Sequence, residues 1–397
     1  MKKKIVIMSL FALLLTGCGY DEYEMPEDAY INFNENIFEV FNDHTSTELI
    51  QDTNTEILTE STTLETETIG KKTITIQYKF GKRKYKIDVD YEVYDVTNPI
   101  FISAPSTMTI VLNEEDNPCN KISYADDYDD EPICTISGDF DPHTVGTYKN
   151  LEYVITDSSS NETRQNFTLN IVDHIDNNYY PSTPNYIYMD EILNNYKTND
   201  TTIGIDVSKW QGTVDFNKVK DAGIEFVIIR IGYQSEAGGE YTIDPKYQEY
   251  LKQVKDAGLK LGVYVYNIST NEEEAINAAN WVIKTLGKEK LDFPIGYDWE
   301  NWSSYSKYKM SLRKFTNAYL AFEKTLNDKG YEAMLYSSKN YLEKVWQTDR
   351  IKNTWLAHYT SQTSYAGDYM MWQMTSLAKV DGITENTVDI NILYNKK

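Results

Sequence analysis

The stretch Ile295-Gly-Tyr-Asp-Trp-Glu300 reads as a short buried strand that opens after Pro294 and closes at Asn301. Side chains alternate between the two faces of a strand, so Asp298 and Glu300 point the same way. Two ionised carboxylates side by side repel each other, which favours the neutral form of one of them. A neutral acid beside an ionised carboxylate is the pair that cleavage of a glycosidic bond uses. The simpler interpretation is a loop cap or a partner for lysine, so the surrounding sequence has to decide.

From Thr202 onward the chain alternates between apolar strand-like runs and helical runs. The predicted strands are 203–207, 226–231, 261–266, 293–299, 333–336, 354–357, 370–373 and 387–390. The predicted helices are 216–222, 245–257, 271–286 and 311–329, after a short one at 189–196. This pattern of eight strands and about five helices predicts an irregular α/β (TIM-like) barrel over residues 201–397.

Upstream of the barrel, residues 29–96 and 97–173 share an all-β pattern with alternation at period two. The matching positions are Ile69-Gly70 with Val145-Gly146, and Val93-Tyr-Asp95 with Ile171-Val-Asp173. Matches at a similar spacing indicate an internal repeat. Both segments resemble the bacterial immunoglobulin-like domains of cell-surface proteins, which implies two immunoglobulin-like sandwiches. We interpret them as spacers, with ligand binding as the alternative.

The first residues carry the pattern of an export signal. Three lysines at 2–4 precede an apolar run at 5–15 that is too short to span a bilayer. Leu15-Thr-Gly-Cys18 resembles the lipobox of bacterial lipoproteins, which implies cleavage before Cys18 and a lipid on its thiol. We therefore expect an exported protein, anchored to the bacterial cell membrane through Cys18 and facing the cell wall. The alternative is an ordinary signal peptide with an incidental cysteine.

These features give a multidomain organisation. The predicted segments are a signal peptide at 1–17, a tether at 18–28, β domains at 29–96 and 97–173, a linker at 174–200 and the barrel at 201–397. The linker is rich in Asn, Tyr, Pro and Ser, so we expect a chain that starts near Asn199 to fold alone. Cys119 and Cys134 form a disulfide in an exported protein or remain two free thiols.

Charge and composition exclude several classes of function. A net charge of −23 over 397 residues disfavours nucleic acid as a partner, because phosphates are neutralised by clustered Lys and Arg. Residues 201–397 hold no Cys and a single His, His358, which excludes a Cys–His peptidase, a zinc amidase and a Ser–His–Asp triad. No Gly-rich nucleotide motif is present. We expect no metal, no cofactor and a monomer.

Carboxylates remain, and they lie near strand ends. The candidate catalytic residues are Asp206, Asp298, Glu300 and Asp389. In an α/β barrel the carboxyl ends of the strands converge on one mouth, so these four side chains can meet there. The aromatic and amide residues predicted to share that mouth, as substrate-binding residues, are Tyr233, Tyr264, Tyr266, Tyr336, Trp355, Tyr359, Trp372 and Gln373. Aromatic faces stack on sugar rings; the alternative for each is barrel packing.

Several motifs in order make a family resemblance specific. They are Gly204-Ile-Asp-Val-Ser-Lys-Trp-Gln-Gly212, Arg230-Ile-Gly-Tyr233, Gly262-Val-Tyr-Val-Tyr266, Asp298-Trp-Glu300, Trp355-Leu-Ala-His-Tyr359, Trp372-Gln373 and Val388-Asp389. Together they resemble the family 25 glycoside hydrolases, the Chalaropsis-type lysozymes, across 201–397. The resemblance implies cleavage of the β-1,4 bond after N-acetylmuramic acid in peptidoglycan glycan strands. It also implies that Glu300 is the general acid, that Asp298 is its partner, and that Asp206 and Asp389 line the pocket.

The sequence leaves the mechanism and the activity with alternatives. A covalent route requires a carboxylate about 5 Å from the acid, and inversion requires a wider gap. The resemblance favours a third, retaining route in which the substrate's acetamido group attacks and Asp298 steadies the charge. The rival function is a catalytically inactive barrel that binds wall glycan at the cell surface.

Overall fold

The structure is a computed structural model that describes residues 25–113, 117–175 and 184–394. The predicted signal peptide, the lipidation site Cys18, most of the tether and residues 176–183 of the linker lie outside these ranges. No helix within the described ranges is long and apolar enough to cross a membrane. Internal contacts divide the chain into two units, Met1–Val96 and Thr97–Lys397.

The first unit is all-β. Its strands are β1 (Ile31–Phe33), β2 (Ile37–Glu39), β3 (Ile50–Thr53), β4 (Glu56–Ile57), β5 (Gly70–Phe80) and β6 (Arg83–Tyr94). One sheet has the order β2-β6-β5-β4 and the other pairs β1 with β3. The long hairpin β5–β6 turns at Gly81, where φ is 62°, a value that glycine adopts without strain. Alternation then sends Ile76, Tyr78, Val89 and Tyr91 to the buried side.

The second β module repeats this topology. Its strands are β7 (Ile100–Ser103), β8 (Thr107–Val111), β9 (Ser123–Ala125), β10 (Ile133–Ser137), β11 (Gly146–Thr156) and β12 (Glu162–Val172). The sheets have the order β10-β11-β12-β8 and β7-β9, with β8 parallel to β12 just as β2 is parallel to β6. The strand pairing therefore matches the repeat that the sequence predicts, while the immunoglobulin-like class stays a prediction. Cys119 and Cys134 form a disulfide, with Cα atoms 5.8 Å apart.

The barrel strands carry the most buried residues of the chain. They are β13 (Ile187–Tyr188), β14 (Thr201–Val207), β15 (Phe226–Gln234), β16 (Tyr241–Ile243), β17 (Lys260–Tyr266), β18 (Ile295–Asp298), β19 (Ala333–Ser338), β20 (Thr354–Ala357), β21 (Met371–Lys379) and β22 (Val388–Tyr394). The helices are α1 (Met189–Tyr196), α2 (Phe216–Asp221), α3 (Tyr247–Ala257), α4 (Glu272–Leu286), α5 (Leu312–Asn327) and α6 (Lys339–Lys344). The eight predicted strands are all present; α6, β13 and β16 are additions that the sequence pattern did not indicate.

Eight of these strands close into a barrel. Seven of them pair in parallel with their neighbours in chain order: β14, β15, β17, β18, β19, β20 and β21. The last strand, β22, lies between β14 and β21 and is antiparallel to both. Alternation along β15 sends Phe226 and Ile228 to the barrel interior, and Val227 and Ile229 to the layer against the helices.

The second β module and the barrel belong to one unit. The division of the chain falls at residue 96, so the predicted linker 174–200 does not separate two units. The loop between β9 and β10 bonds directly to the barrel, and the backbone N–H of Leu312 donates to the carbonyl of Asp126 over 2.8 Å. The contacts that join the second β module to the barrel come from residues far from the predicted linker in sequence.

Candidate active site

The four candidate carboxylates meet at one mouth of the barrel. Asp206 lies near the end of β14, Asp298 ends β18, and Glu300 follows two residues later. Asp389 lies at the beginning of β22, whose antiparallel direction brings its first residues to the same mouth. Asp206 and Asp389 are direct partners across the β14–β22 pair. The sequence prediction placed these residues together only because they lie near strand ends. Asp389 joins the other three because β22 runs antiparallel to β14.

A cavity of about 340 Å³ opens between these side chains. The residues that line it are Asp206, Val207, Ser208, Trp210, Gln211, Arg230, Tyr264, Tyr266, Asp298, Glu300 and Asp389. The side chains that lie next to the Asp-x-Glu pair in sequence, Tyr297 and Trp299, face the outer core instead. The alternation predicted for this strand is therefore confirmed, and it places both acids on the cavity side.

Asp206 is held by two amide side chains. Its Oδ2 accepts hydrogen bonds from Gln373 Nε2 at 2.9 Å and from Asn391 Nδ2 at 2.8 Å. The opposite ends of the two amides are fixed as well. Gln373 Oε1 accepts from the hydroxyls of Tyr336 and Tyr359, at 2.9 and 3.0 Å. An ionised carboxylate only accepts, so the amide N–H groups face Asp206 and the two hydroxyls donate to the amide oxygen.

Asn391 is oriented by the same logic. The indole Nε1 of Trp355, which can only donate, lies 2.7 Å from Asn391 Oδ1. Burial raises the pKa of Asp206 to about 6, while the hydrogen bonds from Asn391 and Gln373 act in the opposite direction. Hydrogen bonds donated to a carboxylate favour its charged form, so the network equips Asp206 to carry a negative charge inside the barrel mouth.

The other three acids are biased towards their neutral forms. Burial, followed by the charges of Glu300 and Asp206, raises the pKa of Asp298 well above its usual value, and Arg230 partly opposes this. Burial and then the charge of Asp206 raise the pKa of Asp389 to about 9. Neighbouring carboxylates cannot all ionise in one small cavity, so they titrate as a coupled group.

Glu300 occupies the open side of this group. Its side chain reaches solvent at the mouth, yet the cavity walls surround the carboxyl closely enough that burial is the first cause of its raised pKa. The charge of Asp206 adds to the effect. Glu300 is therefore both reachable from solvent and inclined to hold a proton. Asp298, only 5% exposed, keeps Oδ1 without a hydrogen-bond partner among the described residues.

A buried cation faces the carboxylates. Arg230 on β15 pairs with Asp244, whose Oδ2 accepts from Nε at 2.8 Å and lies 2.7 Å from Nη2. The Nη2 contact has no hydrogen-bond geometry, so that nitrogen makes no hydrogen bond within the described ranges. Arg230 thus supplies a positive charge at the cavity wall, and the sequence pattern did not single it out as a site residue.

The predicted aromatic residues divide by position. Tyr264 and Tyr266 on β17 line the cavity. Tyr336, Tyr359 and Trp355 do not line it; they orient the amides that hold Asp206. Trp355 is 1% exposed, so its ring packs in the barrel interior and no face is left for a sugar.

Two further aromatic predictions lie away from the cavity wall. Trp372 packs in the outer core, where its Nε1 donates to the carbonyl of His358 at 2.8 Å. Gln373 follows it on β21 and faces inward, so alternation places the two on opposite sides of the strand. Tyr233 is near the mouth, with Lys209 Nζ 4.8 Å from its ring centre, but it does not line the cavity.

Comparison with known proteins agrees with this geometry. Residues 205–383 match the model of the family described as Glycosyl hydrolases family 25. The match begins just before Asp206, spans Asp298 and Glu300, and ends before Asp389.

Individual relatives cover about half of the chain. It is 30% identical over 185 residues to the autolytic lysozyme of Clostridium acetobutylicum, a match of 46% of this chain and 52% of that protein. The chain thus spans about half the length of this curated relative. Among solved structures, the modular autolysin LytC from Streptococcus pneumoniae matches at 25% identity and TM-score 0.44, covering 61% of this chain and 56% of that one. A family 25 glycosyl hydrolase from Bacillus anthracis matches at 16% and TM-score 0.44, covering 55% and 96%.

The barrel also presents a rim residue that the sequence prediction missed. Trp210 is 63% exposed at the edge of the cavity, although its backbone carbonyl is fixed by Asn386 Nδ2 at 3.1 Å. Lys209 Nζ lies 4.8 Å from the Trp210 ring centre. Asn391 was also missed, yet it lies two residues after Asp389, and period-two alternation along the strand could have indicated it. Asp244 follows a strand too short to predict and gave no such signal.

Proposed function

We propose that this protein is a peptidoglycan hydrolase, a lysozyme that cleaves the β-1,4 bond between N-acetylmuramic acid and N-acetylglucosamine. The observation that carries the proposal is the pairing of Asp298 and Glu300 on one cavity wall beside Asp206, which two amides hold. The family 25 match and the autolytic lysozyme relative support the same reaction class. The catalytic assignment keeps Glu300, Asp298, Asp206 and Asp389, and Tyr264 and Tyr266 are the aromatic residues placed to contact substrate.

Glu300 is the general acid of the proposed reaction. It faces the open mouth, where a glycosidic oxygen can approach, and its raised pKa keeps the proton available. A polysaccharide cleft must protonate a poor leaving group, so this proton is essential to the first step. After departure of the leaving sugar, the same carboxylate accepts a proton from the incoming water.

Asp298 is the partner that responds to the substrate. In the proposed retaining route the acetamido oxygen of the muramic acid residue attacks the anomeric carbon as the bond to the leaving oxygen breaks. The resulting oxazolinium ring is positively charged, and its N–H points to an acceptor. Asp298 Oδ1 is unpartnered within the described residues and is placed to accept. The developing positive charge favours the ionised form of Asp298, which the empty cavity disfavours.

Purified cell walls test the proposal directly. The wild-type chain should release dye from labelled walls, and borohydride reduction of the products should give muramitol at the new reducing ends. Glucosaminitol at those ends would contradict the proposed bond specificity. Binding to walls without dye release would contradict hydrolysis and support the inactive glycan-binding alternative.

The cellular setting is part of the proposal. A lipid on Cys18 would anchor an exported, monomeric enzyme to the bacterial cell membrane with its barrel facing the wall. The two β modules, of immunoglobulin-like class, would act as spacers between anchor and barrel. The support is the basic and apolar pattern of residues 1–15 and the Leu15–Cys18 box.

A further inference from the structure

The loop between β9 and β10 ends on a barrel helix. We define the acidic loop as residues 126–131, Asp-Asp-Tyr-Asp-Asp-Glu. The carbonyls of Asp126 and Asp127 accept from the first two N–H groups of α5, at 2.8 and 3.3 Å. Asp130 Oδ1 accepts from the N–H of Ser311, immediately before the helix, at 3.1 Å. These are N–H groups that a helix cannot satisfy internally, so the β module supplies their partners.

The same module holds the segment before α5. Ser306 Oγ donates to the carbonyl of Tyr124 at 2.9 Å, and the N–H of Tyr124 lies 2.8 Å from that hydroxyl oxygen. Surface ion pairs add to the attachment. Lys314 pairs with Asp130, and Lys309 pairs with Glu131 at 2.9 Å. Exposed pairs contribute little to stability, so the backbone bonds are the main attachment.

The acidic loop is itself constrained at both ends. It lies inside the ring closed by the Cys119–Cys134 disulfide, whose two cysteines are 15 residues apart. Inside the loop, Asp126 Oδ1 accepts from the N–H groups of Tyr128 and Asp129, at 2.9 and 2.7 Å. A loop held by internal hydrogen bonds and a disulfide keeps its shape and can fix the position of the helix end that it contacts. A flexible loop would instead change shape to follow the helix.

The segment that the module holds begins at the catalytic acid. Residues 301–311 directly follow Glu300 and include a 3-10 helix, Trp302–Tyr308. This segment is closed on itself, because Tyr305 Oη donates to the carbonyl of Ser311 at 3.3 Å. Lys309 adopts a left-handed conformation with φ 51°, which an ordinary side chain rarely takes. The segment therefore keeps its shape through contacts at both of its ends.

Aromatic packing connects this segment to the acids. Trp299, which lies between Asp298 and Glu300 in the sequence, has a fully buried side chain. The rings of Trp302 and of Phe315 on α5 each lie 4.8 Å from its ring. Close packing leaves little room for one ring to move without the others. A shift of α5 or of the 3-10 helix would accordingly move Trp299, and with it the two carboxylates on either side.

We propose that the acidic loop of the second β module is a positioning element of the hydrolase, which sets the place of Glu300 through segment 301–311. This inference rests on the proposed function and assigns the module a role beyond that of a spacer. Asp130 on the acidic loop and Ser306 within segment 301–311 are positioning residues: neither lines the catalytic cavity, and both act through the contact between the module and the segment.

The test compares full-length variants at the two ends of one helix. Asp130→Ala removes the acceptor for Ser311 and the pair with Lys314. Asp328→Ala is the matched control, because it removes an exposed pair with Lys324, 2.8 Å long, at the far end of α5. Both are assayed on soluble glycan fragments at a temperature where each is folded. Displacement of an acid lowers kcat by between about 10- and 100-fold with little change in KM, and we expect this only in Asp130→Ala.

A second readout does not depend on activity. Hydrogen–deuterium exchange of peptides covering 301–311 should accelerate in Asp130→Ala and in the milder Ser306→Ala, and stay at the wild-type rate in Asp328→Ala. Unchanged exchange in both Asp130→Ala and Ser306→Ala would overturn the inference, as would a lower Tm with unchanged kcat. If the wild-type chain digests no walls, the proposed function fails, while the exchange comparison still decides whether the module holds this segment.

Discussion

Gln373 Nε2 and Asp206 Oδ2 lie 2.9 Å apart, which joins two strands of the barrel that are 167 residues apart in sequence. The contact is directional, because Tyr336 and Tyr359 both donate to the far end of the same amide. A turned amide would present its oxygen to Asp206, and an ionised carboxylate cannot donate to it. The consequence is a carboxylate whose charged form is favoured by two donors, beside acids whose pKa values are raised.

Replacing the Gln373 donor with an acceptor should change the pH dependence of kcat/KM. Gln373→Glu keeps the shape and still accepts from both tyrosines, but it presents a carboxylate to Asp206. Repulsion would raise the pKa of Asp206 further, so the acid limb of the kcat/KM profile should move to higher pH. Initial rates of wall digestion across the pH range measure this. Tyr359→Phe, which removes one tyrosine donor and adds no charge, is the control; an unmoved limb in Gln373→Glu would refute the role given to Asp206.

Substitutions of Glu300 and Asp298 should differ in how far their effect on the rate depends on the leaving group of the substrate. Glu300→Gln removes the acid and should slow wall hydrolysis by roughly 10² to 10⁴. An aryl glycoside with an acidic leaving group needs less protonation and should be partly spared. The alkaline limb of the pH profile, which reports loss of the acid's proton, should flatten.

Asp298→Asn is the matched variant for that experiment. It removes an acceptor for the charged ring in every transition state, so polymer and aryl substrates should suffer alike. Near-normal wall digestion by Glu300→Gln, or equal loss on both substrates, would show that another acid protonates the leaving group. Asp206 and Asp389 would then be the next residues to test.

The buried carboxyl of Asp389 should lower the stability of the folded state as the pH rises. Its pKa is about 9 in the fold, against 3.8 for the free group, so the folded state keeps a proton that the unfolded chain releases. Stability therefore falls with increasing pH across that window, and the penalty is complete above it. Asp389→Asn should have a higher Tm than the wild type, by a margin that grows towards the alkaline end. Asp381→Asn, an exposed acid on the β21–β22 connection, is the control and should show no such trend.

Membrane attachment should depend on one thiol. Cys18→Ala removes the acceptor of the proposed lipid, so the variant should leave the membrane fraction and stay soluble without detergent. Fractionation followed by immunoblotting measures the difference. A variant that still sediments with membranes would show that attachment has another origin.

The sequence could predict the parts of this site that depend on local periodicity. Alternation alone faces Asp298 and Glu300 to one side, and the structure agrees. The same rule should have separated Trp372 from Gln373, since neighbours on a strand point to opposite faces. Predicting both as substrate contacts was an error of interpretation, and the outer-core position of Trp372 corrects it.

Contacts between residues that are far apart in the chain could not be predicted from the sequence pattern. Asp206 receives its donors from β21 and β22, and their alignment depends on an antiparallel closure that no local signal marks. The attachment of the acidic loop to α5 was hidden for the same reason, because residues 126 and 312 meet only in the folded unit. Composition indicated a linker at 174–200, whereas the contacts that decide the boundary come from elsewhere.

The antiparallel strand β22 has a consequence for synthesis of the protein. Asp206 and Asn391 are 185 residues apart, and the first barrel strand pairs with the last. A growing chain would lack both the donor from Asn391 and the carboxyl of Asp389 until β22 had been made. Loops this long close late, after local pairs have formed. A chain that stops before Asp389 would therefore lack one of the four candidate acids and a hydrogen-bond donor to another.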